Sequence, residues 1–133
     1  MVTTKKSIRL VTKSRYREHT TPLFHKLGKL KIHDLYKLQV AMFIYKSRIS
    51  NIGINPDPFY HLFSFPDVIR PYATRTLPNT LTPMPFRTEV RKSCILCCGS
   101  KIWNSLSASV RCSSSTFLFK SSLQNMYISQ YIN

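Results

Sequence analysis

Between Leu35 and Tyr45 apolar residues recur at the period of an α-helix. Leu35, Leu38, Met42 and Tyr45 step by three, four and three, and Phe43 and Ile44 widen the stripe. Asp34 stands where it can cap this helix, which reads to about Ser47. Ahead of it, Thr21-Pro22 places a hydroxyl N-cap before a proline at the first helical position. Leu23, Phe24, Leu27 and Leu30 follow at helical spacing, Lys26 and Lys29 can face outward, and Gly28 weakens this helix or ends it. A connection this short predicts a helical hairpin over about 21–48. At the far end, Ser113-Ser114-Ser115 offers a serine N-cap. Phe119, Leu123, Met126 or Tyr127, and Tyr131 then make the stripe of a C-terminal helix.

The middle of the chain reads differently. Asn55-Pro56-Asp57-Pro58 breaks the periodicity, and residues 51–89 hold all of the eight prolines except Pro22. Such a stretch runs extended rather than helical. Its aromatic residues Phe59, Tyr60, Phe63 and Phe65, with Leu62, can dock it on the helices. Val90, Ile95 and Leu96, set among small and basic residues, suggest a short strand from Glu89 to Cys98. The expected fold is mainly α. A basic arm (1–17) precedes one small helical domain (18–133), made of the hairpin, the irregular crossover 51–89, and a tryptophan segment with the C-terminal helix over 90–133.

Charge changes this picture. Twenty Lys and Arg face five Asp and Glu in 133 residues, a formal net charge of +15. That excess works against compaction and points to a polyanionic partner, RNA or DNA phosphate first and an anionic membrane second. A membrane is the weaker choice: no apolar run exceeds the six residues Val40 to Tyr45, and the C-terminal helix offers only Lys120 as a cation. Residues 1–17 carry six cations and no acid: Lys5, Lys6, Arg9, Lys13, Arg15 and Arg17. They read equally as a solvated arm and as an arm lying on phosphate. Their composition also suits a mitochondrial presequence, without a visible cleavage pattern, and no secretory signal stands at the start. Four cysteines in that setting indicate a reducing compartment, nuclear or cytoplasmic, and free thiols.

Candidate chemistry is sparse. Trp103 is the only tryptophan, and if it is buried its indole N–H needs an acceptor. It anchors a small core or, as the alternative, stacks on a base. Gly99, four positions earlier, suggests a strained turn or a close backbone approach. Tyr72 and Arg75, on one extended strip, can stack and clamp phosphate, or hold a loop to the domain. Cys94 and Cys97 form C-x2-C with Cys98 adjacent, but a second ligand pair is missing and the four histidines all lie upstream, so free thiols are expected rather than zinc. The carboxylates Glu18, Asp34, Asp57, Asp67 and Glu89 are scattered, and no phosphate-cradling glycine loop exists. No catalytic site and no cofactor are expected.

Four segments, in order, resemble the C-terminal region of reverse transcriptases of non-LTR (LINE-type, jockey/CR1/RTE-like) retrotransposons. They are Ile8-Arg9-Leu10-Val11-Thr12 with Tyr16-Arg17 and His19-Thr20; Pro22-Leu23-Phe24 through Phe43-Ile44-Tyr45-Lys46; Tyr72-Ala73-Thr74-Arg75; and Gly99-Ser100-Lys101-Ile102-Trp103-Asn104-Ser105-Leu106 with Phe119-Lys120 and Leu123. The chain departs from the family pattern at Ser107, where proline is usual, at Cys97-Cys98, where an aromatic commonly precedes the glycine, and at Arg70, where histidine is usual. The family's Tyr-x-Asp-Asp polymerase turn is absent, as is its endonuclease. The resemblance therefore implies a segment following the palm and thumb of an RNA-directed DNA polymerase, without the catalytic residues. On that reading Arg9, Lys13, Arg15, Arg17, Arg75 and Lys101 bear on phosphate, Tyr72 and Trp103 stack or anchor, and the upstream polymerase domains are partners. The alternatives are a helical module that docks on protein through its basic face, and the product of a decayed element with no selected function.

Overall fold

The computed structural model describes residues 2–50, 62–63, 65 and 79–132. Among them are seven helices and no strand: α1 (Val2–Thr12), α2 (Thr20–Lys26), α3 (Ile32–Ser50), α4 (Glu89–Lys92), α5 (Ile95–Asn104), α6 (Ala108–Arg111) and α7 (Thr116–Ser129). The mainly helical class is as expected. Most of the crossover lies outside the described residues; its last part, 79–88, runs without regular secondary structure.

The first two helices end in the same way. At the end of α2, Gly28 adopts φ +59, its N–H donates to the His25 carbonyl (2.9 Å) and the Lys29 N–H reaches back to Phe24 (3.0 Å). That pair of bonds closes the helix with a left-handed residue, the role in which glycine is cheapest. At the end of α1 the same two bonds run from Lys13 to Leu10 (3.2 Å) and from Ser14 to Arg9 (3.0 Å), with Lys13 at φ 52. A lysine there carries a steric cost of roughly 1–2 kcal/mol that glycine avoids. The basic arm is thus helical over most of its length. It packs on α2, so the paired helices at the N-terminus are α1 and α2, while α3 packs mainly on α5 and α7.

Three of the anticipated helix starts can be compared directly, and two shift. Helix α2 opens at Thr20 with His19 as N-cap and no side-chain capping bond, so Pro22 falls inside the first turn. Asp34 lies within the first turn of α3 and does not cap it. Ser115 caps α7 as expected, its Oγ accepting the Leu118 N–H at 3.2 Å.

The expected strand at 89–98 is helical instead. Thr88 accepts the Arg91 N–H and starts α4, and α5 follows after Ser93 and Cys94. The buried face of α5 is Cys97, Gly99, Ser100 and Trp103, small residues around one large ring, which the apolar pattern alone does not reveal.

The core is built where α3 meets α5 and α7. Leu38, Ala41, Ile44 and Tyr45 of α3 are buried against Trp103 of α5 and Phe119, Leu123 and Tyr127 of α7. Leu38, Met42, Ile44 and Tyr45 of the expected α3 stripe are buried; Val40, Ala41 and Ser47 widen the buried face, and Leu35 at its start is 44% exposed. Tyr45 stacks on Phe119 (4.1 Å between centroids, 8° between planes), and Phe65 meets Trp103 edge-on at 6.2 Å. Losing an aromatic from such a cluster costs roughly 3–5 kcal/mol.

Candidate nucleic-acid interface

The N-terminal cations are gathered by the turn between α1 and α2. Arg9 donates from Nε (3.0 Å) and Nη2 (2.9 Å) to the Glu18 carbonyl, tying α1 to the residues that lead into α2. The Glu18 carboxylate in turn accepts the Arg15 backbone N–H at 3.2 Å. These bonds hold the 13–19 segment in place without using the side chains of Lys13, Arg15 or Arg17, all three of which are exposed.

Two clefts open on either side of Arg9. One, about 260 Å³, is lined by Lys5, Arg9, Arg17, Lys31, His19 and His33 together with Glu18 and neighbouring threonines. The other, about 560 Å³, is lined by Lys6, Arg9, Leu10, Lys13, Ser14 and Tyr16. Among the described residues the only carboxylate on either wall belongs to Glu18. Cations spaced around a concave surface with so little opposing charge favour a chain of anions over a single counter-ion.

Of the residues expected to bear on phosphate, Arg9 and Arg17 share the first cleft, and Arg9 and Lys13 share the second. Arg15 lies exposed on the same turn. Lys101 belongs to neither cleft: it is exposed on α5, with its ammonium 4.9 Å from the centre of the Phe86 ring. Tyr72 and Arg75 lie outside the described residues. Lys5, Lys6 and Lys31 enter the clefts as well; the first two are visible as part of the N-terminal charge run, but Lys31 needs the fold.

Trp103 is fully buried, which leaves no ring face for a base. Its indole N–H finds the acceptor that burial requires in the Asn79 carbonyl, at 2.8 Å. The residues around it share one mechanical task. Asn104 accepts the Leu81 N–H and donates to the Leu81 carbonyl, both at 2.9 Å, imitating a strand partner for the end of the crossover. Leu106 is buried in the same core. At Gly99 a Cβ would meet Ile44 Cδ1 at 3.2 Å, so the glycine serves close approach of α5 to α3 and not a turn. Sequence reasoning misses Asn79 and Arg111. Asn79 is left-handed (φ 60), and its carbonyl also accepts from the buried Arg111 (3.1 Å).

The four cysteines are free, and three of them are engaged separately. Cys97 Sγ is buried and points to the Met84 carbonyl, Cys98 lies 3.3 Å from the Tyr36 hydroxyl, and Cys112 accepts from Asn79 Nδ2 at 2.9 Å. The contact with Cys98, followed by burial, pushes the Tyr36 hydroxyl above its ordinary range. Among the described residues no three His, Cys, Asp or Glu side chains gather in a way that could hold a metal ion, and no helix is long and apolar enough to cross a membrane. No family model, curated protein or solved structure matches this chain.

Proposed function

We propose that the chain is a C-terminal accessory segment of a retrotransposon reverse transcriptase, beyond the catalytic palm, and that its α1–α2 face meets the phosphate backbone of RNA or DNA. The observation that carries the second half is the pair of clefts around Arg9, where Lys5, Lys6, Lys13, Arg17 and Lys31 converge against a single carboxylate among the described residues. The parentage rests on the order of the sequence motifs. An upstream reading frame with a Tyr-x-Asp-Asp palm supports it, and an unrelated one removes it.

Binding to RNA and DNA measured against salt tests the interface. Affinity should fall steeply as salt rises, and the triple variant Lys5→Glu, Lys6→Glu, Arg17→Glu should lower the log–log slope by about 2 on a single strand, uniformly across sequences. Affinity independent of ionic strength contradicts the phosphate reading.

A second reading, a module that docks on protein, is favoured by apolar exposure on α1 and the turn that follows it. Leu10 is 79% exposed, Val11 70% and Tyr16 78%, an unusual concentration beside so many cations. Changing Val11, which lines neither cleft, to aspartate leaves strand binding nearly intact on the first reading and removes docking to the polymerase body on the second.

A further inference from the structure

A third cleft, of about 390 Å³, opens where the end of α3 meets α6 and the serines leading into α7. Among the described residues its walls include Tyr45, Arg48, Asn79, Arg111, Ser113 and Ser114, with two guanidinium groups and no carboxylate. Arg111 is only 3% exposed; its Nη1 donates to the Asn79 carbonyl at 3.1 Å, and its Nε has no hydrogen-bond partner. Arg48 lies beside it. Its Nη1 reaches the Arg111 carbonyl at 3.5 Å, its Nη2 bonds the Asn79 side-chain oxygen, and its guanidinium sits 5.6 Å from the centre of the Phe65 ring.

All of these partners are neutral. A guanidinium keeps its charge at any pH a protein survives, and it offers five N–H donors in a planar fork. Burying one such charge without a counter-charge is costly, and holding a second beside it adds repulsion. An oxyanion resolves both defects at once, and a phosphate group offers several oxygens for the two forks, with one negative charge in a strand diester and a charge of about −1.5 to −2 as a monoester. The Tyr45 hydroxyl donates to the Ser113 carbonyl (2.6 Å) and the Ser113 hydroxyl to the Val110 carbonyl (2.7 Å), so recognition falls to the two guanidinium groups, with the exposed Ser114 at the rim.

We infer that the cleft between Arg48 and Arg111 is a binding site for a phosphate group. The site is separate from the α1–α2 face and does not require that face to bind nucleic acid.

Trp103 reports on it, because its indole N–H shares the Asn79 carbonyl with Arg111. The full chain is titrated at constant ionic strength, in one arm with inorganic phosphate and in the other with a short DNA oligonucleotide lacking terminal phosphates. Trp103 emission and melting temperature are followed together. A saturable response should weaken at least ~tenfold in Arg48→Gln and in Ser114→Asp, and by less than ~twofold in Lys26→Gln, which makes the same change in net charge on α2. Ser114→Asp, at an exposed position, keeps the test valid if Arg48→Gln disturbs the fold. A response to inorganic phosphate with this variant pattern supports the site and assigns it to a free or terminal phosphate. The pattern with the oligonucleotide alone supports it and assigns a strand diester. No saturable response in either arm, or equal weakening in all three variants, overturns it.

Discussion

Tyr131 uses its hydroxyl twice. It accepts the Lys31 backbone N–H at 2.9 Å, at the start of α3, and donates to Asp34 Oδ2 at 2.6 Å, while the Lys31 ammonium lies 4.5 Å from its ring centre. Burial, and then the hydrogen bond to the Asp34 carboxylate, push this hydroxyl up to about 12. An unfolded phenol titrates near 10, so the fold favours the neutral form. The resulting stabilisation is whole below about pH 10 and is lost as pH rises through about 12. Chemical denaturation from about pH 9 to 12 should show that loss, and Tyr131→Phe should be less stable at about pH 8 and fall less steeply across the same window. An unchanged slope in the variant would remove Tyr131 from the account. At this scale the chain is partly legible. The need of Trp103 for an acceptor can be read, because indole chemistry is local, whereas the identity of that acceptor cannot, because Asn79 is distant in sequence. Arg111 gives no sign at all, since nothing in an isolated arginine distinguishes a buried one from a solvated one.

The helices differ in how far pattern reveals them. Helix α7 is readable because Phe119, Leu123, Tyr127 and Tyr131 recur at helical spacing and are all buried, behind a capping serine. Helix α5 escapes the pattern because Cys97, Gly99 and Ser100 carry its buried face, and small side chains leave no apolar period. Helix α1 reads only as charge, since Ile8 is buried while Leu10 and Val11 are exposed. Gly99 shows what α5 gains from smallness. The atom that a methyl group there would meet first, Ile44 Cδ1, is the tip of a side chain, so Gly99→Ala should come out near neutral in urea denaturation. The gain in helix propensity, about 1 kcal/mol, offsets mild crowding. Gly99→Leu should cost ~1–3 kcal/mol by forcing α5 away from Val40 and Ile44. Equal tolerance of both would mean that α3 and α5 are not packed closely there.

Across the molecule, twenty cations are set against five acids, and among the described residues only Lys37–Asp34 and Lys92–Glu89 form ion pairs. Lys92–Glu89 lies on the surface and Lys37 reaches the half-buried Asp34 from solvent, so two pairs offset little of the repulsion among the remaining cations. Sodium chloride should therefore raise the melting temperature as the Debye length shrinks from about 30 Å at about 10 mM to about 10 Å at about 0.1 M. A melting temperature that stays flat or falls over that range would show that the charges are spaced widely enough not to oppose folding.

The oxygen that Trp103 and Arg111 share belongs to the main chain of residue 79, so no side-chain replacement can delete it. What a substitution can alter is the left-handed twist that aims it. Glycine there would preserve the aim and forfeit the grip of the amide on Arg48 and Cys112, whereas a branched residue such as valine would swing the oxygen away from both donors together.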